Sequence, residues 1–159
     1  EILMEAQKKE QTSEEELEFP SDQRIFVLAS AFADGMSLER IHALTKIDRW
    51  FLSKLKRISD FEKYLNSHYS SSTEIPRDLL AYLKRIGFSD KQIARCVSST
   101  ELAIRETRIA LGITPFVKQI DTVAAEVEAK NNYLYTTYSA TEDDIPFEGD
   151  GYIVIGSGG

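Results

Sequence analysis

The chain has 159 residues, which suits one domain that buries about two-thirds of its unfolded surface and needs no disulfide or metal to fold. Its formal net charge of −7 disfavours a general nucleic-acid binder, because phosphate contacts need clustered Lys and Arg, and it disfavours docking on an anionic membrane. The sequence contains no run of about 20 apolar residues, so no membrane span is predicted. The single cysteine, Cys96, is typical of a reducing compartment, and we therefore expect a cytoplasmic protein.

The first 20 residues are rich in glutamate, lysine and glutamine and carry few apolar side chains. For residues 1–20 we therefore predict an acidic lead-in that is either a solvated helix or disordered. The domain proper is expected over residues 21–112, and its first helix begins at Ser21 and ends at Gly35. Phe32 and its apolar neighbours wrap most of the circumference of this helix, which predicts burial on more than one side.

The second predicted helix begins at Ser37, a good N-cap, and carries Ile41 as a core residue. Met36 and Leu38 stand at the junction just before and inside it. We predict that these two side chains belong to a face for self-association. The alternative is that Met36 only packs on Ile41 within the chain, as a hydrophobic staple.

The third predicted helix is capped by Asp48, runs to about Asn66, and carries apolar side chains at helical spacing. Trp50, Phe51 and Leu55 are predicted to be core residues. Because both aromatic rings bring large areas that can be buried, we expect the loss of either ring to cost about 3–5 kcal/mol.

Three more helices are predicted between a serine-rich connection and Gly112. The first covers Pro76 to Ile86, and the two short helices that follow carry Ile93 and Ile104 as core residues. The expected N-caps of these short helices are Ser89 and then Ser98 or Ser99. Six helices in total predict an all-α fold.

A weak internal repeat relates the two halves of this helical region. Gly35–Ile41 aligns with Gly87–Ile93 at an offset of 52, and each block reads glycine, apolar residue, serine cap and then isoleucine at the fourth helical position. The repeat predicts two small three-helix subdomains packed together. The alternative is that a glycine followed by a capping serine is a common helix junction that occurs twice by chance.

The pattern changes after Gly112. Residues 113–151 contain two prolines, a tyrosine-rich stretch and an acidic turn, which predict an extended connecting segment. Residues 152–159 combine an apolar β-branched run with glycines, which is typical of the first strand and loop of a following α/β domain. Gly156 and its neighbours cannot form a phosphate site alone, because the helix that would supply the dipole is not part of the sequence.

No group of residues in the sequence predicts catalysis, cofactor binding or a metal site. His42 and His68 are the only histidines, and they lack the second pair of ligands that a metal centre needs. Cys96 has no histidine nearby in the sequence, so a core cysteine is a better interpretation than a nucleophile. We therefore expect the chain itself not to be an enzyme.

Residues 88–108 suggest an alternative function, since they have the form of a DNA-binding helix-turn-helix. A short helix and a tight serine turn lead to a second helix that carries Arg105 and Arg108. Any packed helical hairpin has the same pattern, however, and Glu101 near the start of the second helix would repel phosphate. The acidic composition therefore favours a hairpin over a nucleic-acid-binding domain.

Several longer segments resemble the large chain of glutamine-dependent carbamoyl phosphate synthetase, and they occur in that family's order from about residue 20 to residue 158. The matching segments are Asp22–Phe26, Leu44–Leu52, Gly87–Ala94, Val117–Glu126, Asn132–Tyr138 and Ile153–Gly158. Two of these sequences, Lys118-Gln-Ile-Asp-Thr122 and Asn132-Tyr-Leu-Tyr135, are most similar to those of eukaryotic synthetases, including the multifunctional pyrimidine-pathway form.

The resemblance implies the helical oligomerisation domain of that large chain, which has no catalytic, cofactor-binding or metal residues. It implies a place between two ATP-grasp synthetase units, so that residues 152–159 begin the second unit. The expected partners are these flanking units, the glutaminase portion of the parent enzyme and a second copy, with no nucleic acid and no membrane. ATP and Mg would serve the parent, an ATP-dependent ligase that forms carbamoyl phosphate for pyrimidine synthesis.

Overall fold

The computed structural model describes residues 14–120, 126–127 and 133–145 of the chain. Within these ranges the chain is helical up to residue 110 and then forms two strands. The α-helices are α1 (Glu14–Glu18), α2 (Arg24–Ala33), α3 (Leu38–Thr45), α4 (Arg49–His68), α5 (Arg77–Arg85), α6 (Asp90–Cys96) and α7 (Glu101–Ala110), and a 3-10 helix covers Ser72–Glu74. The predicted all-α class is confirmed, with one α-helix more than expected. None of the described helices is both long enough and apolar enough to cross a membrane.

The chain divides into two compact units, Glu1–Leu111 and Gly112–Gly159. In the second unit, β1 (Phe116–Ile120) pairs antiparallel with β2 (Tyr133–Thr137). The carboxylate of Asp144 accepts hydrogen bonds from the Lys118 side chain and the Gln119 backbone N–H. These bonds hold the segment that follows β2 against β1. The predicted extended segment is therefore a hairpin over its described part. The predicted strand at 152–159 lies outside the described residues.

Helix α1 shows that the core begins earlier than the predicted boundary at residue 21. Leu17 is 0% exposed and packs with buried residues of α2, α3 and α4, whereas the glutamates beside it are exposed or half-buried. Arg24 Nη2 donates hydrogen bonds of 3.2 Å to the carbonyl oxygens of both Leu17 and Thr45, which ties the ends of α1 and α3 together. The boundary was placed too late because one apolar residue among glutamates gives no periodic signal.

The internal repeat is visible at the two glycine junctions. Gly35 and Gly87 have φ values of +87° and +104°, which side chains other than glycine rarely adopt. In the first junction Met36 N–H donates to Ala31 O at 2.9 Å, and in the second Phe88 N–H donates to Leu83 O at 3.0 Å. These are equivalent bonds of the Schellman motif that ends a helix. The two junctions are therefore built in the same way.

The repeat continues through the helices after each junction. Ser37 and Ser89 each cap a helix by accepting from the backbone N–H three residues on. A residue with positive φ precedes each of the next helices, Lys46 at +60° before α4 and Ser98 at +50° before α7. These two residues are again 52 positions apart. Asp48 caps α4 as predicted, whereas α7 is capped by Thr100 and not by Ser98 or Ser99. Two three-helix subdomains, α2–α4 and α5–α7, follow from this correspondence.

Four of the predicted core residues are buried, two in each subdomain. Phe32 is 4% exposed, and Ile41, Ile93 and Ile104 are each 0% exposed. Leu55 is only partly buried, although it packs against the core cluster of the first subdomain.

The core prediction was wrong for Trp50 and Phe51, which are each 59% exposed. In the N-terminal half of α4 the buried face is set by Leu52 and Ser59. Since each helical residue turns the chain by about 100°, Trp50 points almost opposite to Leu52 and Phe51 points sideways. The expected loss of 3–5 kcal/mol for removing either ring therefore does not apply.

Candidate interaction surfaces and a buried charge cluster

A buried cluster of three charges connects the helices of the second subdomain. Lys84 Nζ on α5 lies 2.7 Å from Asp90 Oδ1, and Arg108 Nε on α7 lies 2.8 Å from Asp90 Oδ2. The three side chains are 7%, 12% and 10% exposed. Burial alone would raise the pKa of the Asp90 carboxyl, but the hydrogen bonds from Lys84 and Arg108 outweigh burial and hold that pKa below its ordinary value. The cluster fixes α5, α6 and α7 relative to one another.

The charge cluster argues against the helix-turn-helix interpretation, because it buries an arginine that would have to contact DNA. Arg108, one of the two arginines expected on the reading helix, is 8% exposed and bonded to Asp90. Arg105 is exposed, but so is Glu101 at the start of the same helix. Since a reading helix must present its cations to phosphate and bases, α7 is built as a packed hairpin helix.

Cys96 has the environment of a structural cysteine. The residue is half-buried at the end of α6, and burial, followed by the nearby Glu62 carboxylate, raises the pKa of its thiol to about 11. Burial also raises the pKa of Glu62, although the amide of Gln92 donates to that carboxylate at 2.8 Å. Because the thiolate is the nucleophilic form, these groups disfavour cysteine chemistry near neutral pH.

Both histidines contact residues that are close to them in the sequence. His42 Nδ1 lies 2.7 Å from Ile47 O, and its Nε2 lies 3.0 Å from an Arg49 nitrogen. His68 stacks on Tyr64 with ring centroids 4.2 Å apart. Across the described ranges of the chain, no group of three His, Cys, Asp or Glu side chains is arranged to hold a metal ion.

Met36 and Leu38, the predicted association residues, are half-buried beside Gly35. Both pack against the buried cluster of the first subdomain, which contains Phe32 and Ile41. Their exposed portions remain available at the first glycine junction. In the second subdomain the corresponding positions are Phe88, which is 2% exposed, and Asp90 of the charge cluster. The first junction is therefore the more accessible and more apolar of the two.

A second apolar surface was missed by the sequence interpretation. Trp50 and Phe51 form an edge-to-face pair with ring centroids 4.9 Å apart, and Lys54 Nζ lies 4.7 Å from the centre of the Trp50 ring. The available signal was the spacing of Trp50, Lys54 and Arg57, which repeats as i, i+4 and i+7 on the side of α4 away from Leu52.

Comparisons with known proteins place this chain in a family. A family model described as the oligomerisation domain of the carbamoyl-phosphate synthetase large chain matches residues 2–112. The chain is 54% identical over 147 residues to the multifunctional protein pyr1-3 of Dictyostelium discoideum, and the match covers 92% of this chain and 7% of that protein. It is 52% identical over 146 residues to the multifunctional protein CAD of Squalus acanthias, and this match covers 92% of this chain and 6% of that protein.

An arginine-specific relative also matches. The chain is 48% identical over 148 residues to the arginine-specific large chain of carbamoyl phosphate synthase from Eremothecium gossypii, covering 91% of this chain and 13% of that protein. The chain thus spans a small fraction of the length of each relative, and these relatives give the nucleic-acid alternative no support. From the match over residues 2–112, the chain belongs to the family of oligomerisation domains of the carbamoyl phosphate synthetase large chain.

Proposed function

We propose that this chain is a non-catalytic scaffold that links two ATP-dependent synthetase units of a cytoplasmic carbamoyl phosphate synthetase. The parent would make carbamoyl phosphate from glutamine-derived nitrogen as the first step of pyrimidine synthesis, and its ATP and Mg would bind outside this chain. The glutaminase portion and the flanking units would be its partners. The observation that carries this proposal is a helical domain, matched by an oligomerisation-domain family, in which the buried charges join helices to one another.

The scaffold role predicts that shape and spacing matter more than any single side chain. Replacing residues 14–112 of the parent chain, which include α1, by a flexible Gly/Ser linker is expected to abolish carbamoyl phosphate synthesis, because a flexible chain holds the units at no fixed separation. ATP hydrolysis by each unit should persist. Full carbamoyl phosphate synthesis in the linker variant would contradict the scaffold role.

We also propose that Met36 and Leu38 contribute to a face on which two copies associate, in keeping with the description of the matching family. Met36→Glu should weaken association, because it places a charge in an apolar contact. Sedimentation equilibrium over a range of concentrations is expected to show a larger monomer fraction for the variant.

Met36 also packs within the chain, so the folded state of Met36→Glu must be verified by urea unfolding. Leu102→Glu is the matched control, since Leu102 is 64% exposed and lies in the other subdomain. If the wild type is monomeric at all concentrations, or if Leu102→Glu dissociates equally, the Met36 face is not the site of association.

A further inference from the structure

The N-terminal half of α4 presents two exposed aromatic rings beside two half-buried cationic side chains. Trp50 and Phe51 remain 59% exposed although they pack edge to face on each other. Lys54 reaches over the Trp50 ring, and Arg57 follows one turn later on the same side. We call Trp50, Phe51, Lys54 and Arg57 the aromatic-cationic stripe. Because its rings are already ordered, their burial by a partner would cost little further conformational entropy.

The stripe is positively charged within a chain of net charge −7. No Asp or Glu occurs from Arg49 to Ser59, and Arg49 itself is neutralised by Glu39 at 2.8 Å. Within the described part of the chain, no ion pair joins Lys54 or Arg57 to a carboxylate. A surface that covers the stripe should therefore supply an apolar patch for the rings and carboxylates for the two cations.

The small area of the stripe favours a partner in the same chain over a separate protein. A fully buried aromatic side chain contributes about 150–250 Å², so two rings at this exposure offer roughly 200–300 Å² together. A stable complex of separate proteins buries about 800 Å² on each partner. A unit in the same chain needs much less area, since linkage gives an effective concentration on the order of millimolar. The relatives continue far beyond the matched region, which makes up only 6–13% of their length.

We infer that the aromatic-cationic stripe is the docking face for an acidic, partly apolar surface of a synthetase unit in the same parent chain. The inference rests on the proposed scaffold role and specifies how the scaffold holds one of the units that it links. Lys54 and Arg57 pair with carboxylates of that unit, while Trp50 and Phe51 are buried between the two surfaces.

The second subdomain supplies a matched control at the positions that correspond to the stripe. Leu102, Glu106 and Ile109 on α7 stand 52 residues after Trp50, Lys54 and Arg57. Leu102 and Ile109 are 64% and 50% exposed, so this face is also apolar. It carries a glutamate where the stripe carries Lys54, and it would repel an acidic partner. The docking face is thus assigned to α4 and not to α7.

The test is zero-length cross-linking of the intact parent enzyme with a carbodiimide, which joins a lysine amine to a carboxylate that it contacts. Equal amounts of unlabelled and 15N-labelled parent are mixed, so that mass spectrometry separates links within a chain from links between copies. Lys56 and Asp60, which are 2.6 Å apart, report that the reagent has acted. The expected product joins Lys54 to an Asp or Glu of the same chain outside residues 1–159.

Variants show whether the rings create the contact. The double substitution Trp50→Ala, Phe51→Ala should lose the Lys54 product, and Leu102→Ala should retain it at the wild-type yield. Lys54→Arg keeps the charge but removes the reactive amine, so it verifies the assignment of the product. Since Trp50 and Phe51 are exposed, the double variant should unfold at the wild-type urea concentration.

Three outcomes would overturn the docking face. These are Lys54 links only between differently labelled copies, which would make a second copy the partner; no Lys54 link although Lys56 and Asp60 are joined; and a Lys54 link that survives loss of both rings. If any of them occurs while the linker variant still loses carbamoyl phosphate synthesis, the scaffold role stands and only the docking face fails.

Discussion

Replacing Asp90 by alanine is expected to lower the free energy of unfolding by about 3–5 kcal/mol, because the change removes a carboxylate that two buried cations contact. Lys84 and Arg108 would keep their charges in sites that are 7% and 10% exposed. Lys84 would retain the carbonyl of Phe88, which its ammonium contacts at 2.7 Å, but a carbonyl cannot neutralise it. Urea unfolding followed by circular dichroism measures the loss.

The matched control for this prediction is Asp60→Ala. Asp60 also pairs with a lysine, Lys56, but the two side chains are 54% and 42% exposed. An exposed pair four residues apart on a helix contributes about 0.3–0.5 kcal/mol, so this variant should unfold almost like the wild type. Equal losses in the two variants would mean that the Asp90 cluster is as well solvated as a surface ion pair.

Acid should remove the same contribution. The pKa of Asp90 is lowered by folding from its ordinary value of 3.8, so its stabilising effect is fully present above that value. The effect is then lost as the pH falls through the lower pKa of the folded state. The Asp90→Asn variant lacks this carboxylate, and its stability should fall less steeply than that of the wild type as the pH falls below 3.8, by roughly the contribution of one carboxylate.

The internal repeat shows that the position of the cluster does not itself require charge. Phe32 and Leu38 occupy the places in the first subdomain that Lys84 and Asp90 occupy in the second. Phe32 is 4% exposed and Leu38 is half-buried, so the same arrangement of helices is packed there by apolar side chains. A buried ion pair is costly to break and is nevertheless replaceable by well-packed apolar residues. The cost predicted for Asp90→Ala therefore reflects the removal of a carboxylate from beside two buried cations more than the intrinsic strength of the ion pairs.

The boundaries of most helices could be predicted because they depend on bonds within a few residues. Gly35 and Gly87 end helices through their own backbone freedom, and Ser37 and Ser89 begin helices by capping nearby amides. The same local blocks revealed the repeat. Family resemblance then supplied the expectation of an oligomerisation domain, which composition and periodicity alone could not provide.

Features that depend on contacts between distant helices could not be predicted in this way. Periodicity identifies an apolar side of α4, but only its packing partners decide that Leu52 is buried while Trp50 is exposed. The ion cluster joins Lys84 to Asp90 and Asp90 to Arg108 across three helices, and no spacing in the sequence marks such a set. The candidate surfaces on α4 follow from these same long-range contacts.

The burial of Leu17 leads to the second large effect on stability. Leu17→Ala is expected to lower the free energy of unfolding by about 2–5 kcal/mol, because it removes a fully buried side chain and leaves a cavity among α1, α2 and α3. Phe19→Ala is the matched control in the same segment. Phe19 is larger but 67% exposed, so its loss should change stability by no more than about 0.5 kcal/mol. If urea unfolding gave equally small effects for both, α1 would be a detachable lead-in, and the domain would begin at residue 21 after all.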